Sequence, residues 1–334
     1  MKENEHLWKV CVRCKTFNQA KYIEDALNGF TMQETKFPYV CCIIDDASTD
    51  GEPVVIRNYL QMHFDLQDTS LVRNEDNDAY SLIFARHKTN SQCYFAVLLL
   101  KYNHYSIKKD PIPYIKEWEK DTNYIAYCEG DDFWNNPQKL QSQADFMDAH
   151  PNHSMCFHAV NFLYSNGECR ESHRYDTDIK ICNIEDMLMT IGGYAKLCSI
   201  FYNRNKYGKG YTEWTTHPSV GDWPMQATLF IKGDVAYMNT VMSTYRISAN
   251  SSWTQKMMNN YQAMCRHHKE SAKNWKEFDN WTNGKYHNFI KIQLSDNKRV
   301  FRNRQIEYFS NYALVRVIRK IFHNVKRVMN FDKK

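Results

Sequence analysis

Residues 39–46 read Tyr-Val-Cys-Cys-Ile-Ile-Asp-Asp, and residues 124–132 read Tyr-Ile-Ala-Tyr-Cys-Glu-Gly-Asp-Asp. An unbroken run of β-type apolar side chains over 39–44 is what a strand buried on both faces requires. That run stops abruptly in Asp45 and Asp46. The second, over 124–128, stops in Glu129, Asp131 and Asp132. Further strands are predicted over 8–12 and 94–100. Between them, Tyr22, Ile23, Ala26, Leu27 and Phe30 follow helical spacing, with Asn18 placed to cap that helix. A second helix is predicted over 54–62. Pro113 opens a short one carrying Tyr114, Ile115 and Trp118 on one face. Such alternation implies right-handed βαβ units and a mainly parallel sheet, and ligands of open sheets of this class bind beyond the carboxyl ends of the strands. Two strands stopping in acidic clusters at that edge mark the candidate site.

Downstream, Asn136-Pro137 supplies a cap and first-turn proline for a helix to about His150, with Leu140, Ala144 and Met147 inward. Residues 154–160, 197–202 and 235–242 read as strands, with glycine loops at 192–193 and 208–210. Beyond Trp253 the pattern turns helical and basic, and a domain boundary is expected near 250. The 334 residues are 43% hydrophobic, which excludes disorder, and 11 Gly with 8 Pro exclude collagen-like or linker-like character. No run approaches the ~20 apolar residues of a membrane span, and the first ten residues hold no apolar leader segment. Eleven cysteines are therefore expected as reduced thiols in the cytoplasm.

Charge is unevenly distributed. Residues 255–334 hold 18 Lys+Arg against 6 Asp+Glu, whereas residues 1–254 hold 25 against 32. In the tail, Leu314, Val317, Ile318, Ile321, Phe322, Val325, Val328 and Met329 recur at helical spacing with Arg316, Arg319, Lys320, Lys326 and Arg327 among them. An interfacial helix resting on anionic lipid has this pattern, and so does a helix packed on the preceding domain with a basic outer face.

Adjacent carboxylates repel, and burying them costs several kcal/mol (roughly) unless a cation or hydrogen-bond donors compensate. Placed at neighbouring strand ends, they make sense around a divalent metal and a phosphate. Oxygen ligands without His or Cys favour Mg²⁺ or Mn²⁺ over Zn²⁺. The competing reading is structural, since Asp45, Asp46 and Ser48 lie in Asp-Asp-Ala-Ser-Thr-Asp-Gly, which is good turn chemistry. Cys11 and Cys14 have CxxC spacing but lie in a strand pattern without a second pair. His158, between Phe157 and Ala159, reads as a core residue. Neither a GxGxxG nor a GxxxxGK[ST] fingerprint occurs.

The segments VCVRCKTFNQAKYIEDAL (10–27), IIDDASTDG (43–51) and YIAYCEGDDFW (124–134) together resemble family 2 glycosyltransferases of the bacterial surface-polysaccharide type. The resemblance covers about residues 8–250 and implies an α/β GT-A fold: a mixed, mainly parallel sheet flanked by helices. It divides the chain into a catalytic domain over 1–250, with a nucleotide-binding half to about 132 and an acceptor half from 133, and a helical basic extension over 251–334. Lys15 stands where the family has proline. By the same resemblance, Thr16, Phe17, Asn18, Asp45 and Asp46 match the pocket for the nucleotide's base and ribose. Glu129-Gly130-Asp131 stands at the family's Asp-X-Asp motif, which implies Asp131, Asp132 and Glu129 as ligands of Mn²⁺ or Mg²⁺, with Asp131 also facing the donor.

Val220-Gly221-Asp222-Trp223 resembles the family's acidic motif, making Asp222 the general base. Pro224 behind it equally suits a helix cap. Trp223 either stacks on an acceptor sugar or packs. In Thr244-Tyr245-Arg246-Ile247-Ser248, Ser248 replaces the family's histidine, which shifts diphosphate contact to Arg246 or to Lys108 and Lys109. The implied activity is inverting, metal-dependent transfer from a nucleotide-sugar, a UDP-sugar first, to a hydroxyl of a glycan or lipid-linked glycan in surface-polysaccharide synthesis. The implied location is cytoplasmic and peripheral to the inner membrane face, with no nucleic-acid partner. The rivals are a nucleotidyltransferase on a similar sheet and a catalytically inactive nucleotide- or sugar-binding relative.

Overall fold

Both acidic strand ends belong to one sheet. The computed structural model describes residues 8–190, 193–216, 218, 220–247 and 260–331, with side chains described as far as 310. The chain divides into two units, residues 1–213 with 222–255, and residues 214–221 with 256–334. Twelve strands lie in the first unit: β1 (Val10–Thr16), β2 (Tyr39–Asp45), β3 (Arg73–Asp76), β4 (Tyr80–Arg86), β5 (Cys93–Leu100), β6 (Tyr124–Tyr127), β7 (Phe133–Trp134), β8 (His153–Leu163), β9 (Cys169–Ser172), β10 (Ile179–Cys182), β11 (Phe201–Asn203) and β12 (Asp234–Arg246). Its helices are α1 (Ile23–Thr31), α2 (Glu52–His63), α3 (Lys116–Glu119), α4 (Lys139–Ala149), α5 (Ile184–Met189), α6 (Arg204–Tyr207) and α7 (Asp222–Lys232).

The strands run β10-β12-β8-β11-β6-β1-β2-β5-β4-β3, with β7 added to β12 and β9 to β8. The centre, β6-β1-β2-β5, is parallel, as the strand–helix alternation predicts. Parallel β8 and β12 form a second such pair, and the remaining ladders are antiparallel. Every residue of β2 is buried, which explains its uninterrupted apolar sequence. On one face of β1, Val10, Val12 and Cys14 join Ile23, Ala26, Leu27 and Phe30 of α1 and Ile56, Tyr59 and Leu60 of α2 in a single core. Each large apolar side chain so buried contributes about 1.5–3 kcal/mol. Phe30 meets Trp134 edge to face at 4.9 Å. That approach requires Gly29, because a Cβ there would lie 2.8 Å from the Trp134 backbone.

Several expectations need correction. Asn18 does not cap α1: its φ is +56°, its N–H donates to Ser48 Oγ (2.8 Å), and its Oδ1 accepts from the Thr49 N–H (2.8 Å). It fastens the loop after β1 to the loop after β2. Strand β1 begins at Val10 rather than residue 8 and runs on to Thr16, so Lys15 and Thr16 are strand residues. Helix α4 starts at Lys139; Asn136 instead closes a turn by accepting from the Gln138 N–H at 2.8 Å, while Leu140, Ala144 and Met147 are buried as expected. Residues 197–199 form a 3₁₀ turn, leaving only Phe201–Asn203 as strand. The stretch 65–92, unreadable from periodicity, forms the β3–β4 hairpin.

In the second unit, α8 (Tyr261–Trp281) and α9 (His287–Phe331) form a helical hairpin. Tyr261 stacks on Tyr308 (4.7 Å), His268 shares two hydrogen bonds with Asn297, and Phe278 meets Trp214 at 5.4 Å. The tail residues from Leu314 to Met329 are helical, but their side chains lie outside the described residues.

Candidate active site at the carboxyl rim of the sheet

Thr16, the last residue of β1, sits between the two acidic clusters. It pairs with Asp45 in the parallel register of β1 and β2. On its other side the chain after β6 continues along β1, with the Cys128 N–H donating to the Arg13 carbonyl and the Gly130 N–H to the Lys15 carbonyl (both 3.2 Å). Residue 130 must be glycine, since a Cβ there would lie 2.2 Å from Thr16 Oγ1 and 2.6 Å from Gln19 Oε1. The Asp132 N–H then donates back to the Glu129 carbonyl at 3.1 Å, folding Glu129–Asp132 into a tight turn over the rim.

Four carboxylates gather electrostatically here. Glu129 is pushed well above the usual carboxylate range by burial and by the charges of Asp222, Asp131 and Asp132, against the pull of Lys15. Asp131 is raised by burial, opposed by its own N–H, Arg246 and Gln19. Burial raises Asp222 too, opposed by Lys196, its own N–H and Lys15. Glu129 and Asp222 are nonetheless open to solvent. Asp132 differs: it is 2% exposed, accepts the Arg246 N–H at 2.8 Å, and lies beside Cys198. It anchors β12 to the turn.

Arg246 clamps the same turn. Its guanidinium donates to the Asp131 carbonyl (2.6 Å), pairs with Asp25, and lies over the rings of Tyr22 (4.9 Å) and Phe133 (4.7 Å). Asp46 is likewise engaged by its own loops: its carboxylate accepts the N–H groups of His104 (2.6 Å) and Tyr105 (3.0 Å). Asp45 is 1% exposed; Ser48 N–H reaches its Oδ2 at 3.2 Å, while its Oδ1 has no protein partner. Lys108 lies in an exposed turn beyond Asp46 with φ +56°, and Lys109 donates to Tyr102 Oη (2.9 Å). Phe17 is half-buried after β1, and Trp223 is half-buried in the first turn of α7. Ser248 lies outside the described residues.

Three site residues escaped the sequence reading. Glu52, fully buried at the start of α2, bonds Thr16 Oγ1, accepts the Gln19 N–H (2.8 Å), and accepts Ser48 Oγ–H (2.9 Å), tying the connections after β1 and β2 to the start of α2. Gln19 reaches both Thr16 Oγ1 and Asp131. Lys196, half-buried over Tyr245 (5.0 Å) and Phe162 (5.6 Å), faces Asp222 and Asp132 and is lowered by burial. The sequence marks Glu52 only as a helix start after Asp50-Gly51, not as a buried tie, and it carries no signal for Lys196.

Among the described residues, no three His, Cys, Asp or Glu side chains come close enough to cage a metal ion. An open depression of about 510 Å³ between Gln33, Asn90 and Gln141 lies at the opposite, amino-terminal edge of β2 and β5.

Residues 12–97, which span β1 to β5, match the family model described as Glycosyl transferase family 2. Over this segment the chain is similar to glycosyl transferase family 2. Uncharacterized proteins of Mycobacterium tuberculosis (Rv1520) and Mycobacterium bovis (Mb1547) are each 27% identical to this chain over 242 residues, or 71% of its length. The chain spans 58% of the length of these curated relatives. Among solved structures, residues 1–349 of Staphylococcus aureus TarS share 13% identity at a TM-score of 0.48, over 84% of this chain and 72% of that one. A mannosyltransferase of Pyrobaculum calidifontis, solved with GDP-Man and Mn²⁺, shares 10% identity at 0.48, over 80% and 65%. Among the described residues no helix is long and apolar enough to cross a membrane.

Proposed function

We propose that this chain transfers a sugar, with inversion, from a nucleotide-sugar to a hydroxyl of a glycan or lipid-linked glycan. The observation that supports the reading is the nearness of Glu129, Asp131 and Asp222, whose charges act on one another beyond the carboxyl ends of β1 and β6. Asp45 Oδ1, buried without a protein partner beside Thr16, supports the pocket reading, because an N–H or O–H of the donor's base or ribose would satisfy it.

Asp222 is the proposed general base. Its carboxylate takes the acceptor hydroxyl's proton while that oxygen attacks the anomeric carbon from the face opposite the diphosphate. The bond from that carbon to the diphosphate oxygen breaks, and its electron pair leaves with the nucleoside diphosphate. Lys196 and Lys15 favour the ionised form of Asp222, opposing the larger effect of burial. Arg246 and Gly130 hold Asp131 at the rim.

The donor set suits a hard divalent cation. It is all oxygen, and repulsion from neighbouring carboxylates, which raises Glu129, is the strain a cation relieves. Mg²⁺ and Mn²⁺ are commonly held by one or two carboxylates with substrate phosphates completing the shell, so a full protein cage is not required. Asp131 and Glu129 would hold it; Asp132 is engaged inside the protein. When bound, the cation supplies charge neutralisation to the departing diphosphate.

Incubation with a panel of nucleotide-sugars and surface-glycan acceptors tests the reading. Release of a nucleoside diphosphate with a glycosylated product is expected. Pyrophosphate release from a nucleoside triphosphate and sugar phosphate would establish the nucleotidyltransferase instead, and binding without turnover would establish the inactive relative.

A further inference from the structure

The helical hairpin of the second unit presents two cationic stripes. On α8 the exposed positions between 262 and 280 are Gln262, Arg266, Lys269, Lys273, Lys276 and Asn280. They recur every three or four residues, so all six share one narrow face, and the four cations span about 15 Å at the helical rise of ~1.5 Å per residue. The acidic residues of α8 (Glu270, Glu277 and Asp279) are half-buried off that stripe, and only Lys273 reaches one of them, Glu277 at 3.4 Å.

Helix α9 adds apolar groups to the same chemistry. Its exposed face carries Lys291, Lys298, Arg299 and Arg302 together with Ile292, Ile306 and Phe309, the last two 57% and 53% exposed. Against these cations stand the half-buried Asp296, paired with Arg299 at 2.8 Å, and the exposed Glu307. A singly exposed isoleucine needs no explanation, but a phenylalanine and two isoleucines on the same helix face as four cations do. The helix continues to Phe331 through a sequence with five Lys+Arg and no Asp or Glu over residues 311–331.

We propose that this hairpin docks on an anionic lipid bilayer, with the cations of α8 and α9 against the headgroups and Ile292, Ile306 and Phe309 entering the interface. Charge complementarity supplies the attraction, falling off within a Debye length, and the exposed apolar side chains favour a bilayer over a nucleic acid or a soluble polyanion. The inference stands apart from the chemistry of the sheet rim.

Flotation of the full chain with phosphatidylcholine vesicles, with and without phosphatidylglycerol, tests it. Binding is expected only with phosphatidylglycerol and should weaken as salt rises. Each cation removed should lower vesicle affinity about fivefold, so Lys269→Glu with Lys276→Glu should lose on the order of 25-fold or more. Ile306→Ser with Phe309→Ser should weaken binding while leaving its salt dependence unchanged, circular dichroism confirming helicity in each variant. Equal binding to neutral vesicles, no vesicle binding, or capture by RNA or heparin in preference to vesicles would each overturn the proposal; the wild-type comparison alone decides this if a variant fails to fold.

Discussion

At Glu129 the proposed chemistry and the stability of the fold pull in opposite directions. Its carboxyl is raised by burial and by Asp222, Asp131 and Asp132, so between the ordinary and the folded value the folded state binds a proton that the unfolded chain has released. Stability from this group is fully present below the ordinary carboxylate range and is lost as pH rises through the folded value. Glu129→Gln should therefore melt at a higher temperature than wild type at neutral pH and show a flatter pH dependence, read by calorimetry. Lys196 acts on Asp222 in the opposite sense, favouring its ionised form. Lys196→Met should move the acidic limb of the kcat profile to higher pH, and an unmoved limb would show that Asp222 and Lys196 are not coupled in turnover. Asp222→Asn should leave nucleotide affinity nearly intact while lowering kcat by on the order of 10²-fold or more.

Elements bring these residues together. The register of β1 with β2 and β6 sets Thr16 between the clusters, and Gly130 lets the turn after β6 close on it. Gly130→Ala should cost about 1–3 kcal/mol in denaturant unfolding, because Thr16 and Gln19 must both give way. The central strands and the edge where the acids lie were legible because a buried parallel strand leaves an apolar run and the break in that run locates its end. Glu52 was hidden by position: a glutamate opening a helix has an ordinary exposed role, and only the tertiary closeness of Thr16, Gln19 and Ser48 makes it a buried tie. Asn18 misled for a related reason, since a residue able to cap a helix can bond a neighbouring loop equally well. Lys196, just before the 3₁₀ turn over 197–199, acts on Asp222 through its charge from a separate segment, which no local spacing encodes.

For the whole molecule, the sheet's carboxyl rim carries the acidic cluster proposed as the donor site and the second unit carries a cationic surface, each on its own residues. The rim reading depends on acids from β6's turn and from the start of α7 acting on one bound donor. Titration calorimetry of a nucleoside diphosphate with and without Mn²⁺, on wild type and Asp131→Ala, tests that dependence most directly. The account predicts affinity that requires Mn²⁺ in wild type and is lost in Asp131→Ala; equal affinity with and without the metal, unchanged by the substitution, would contradict it.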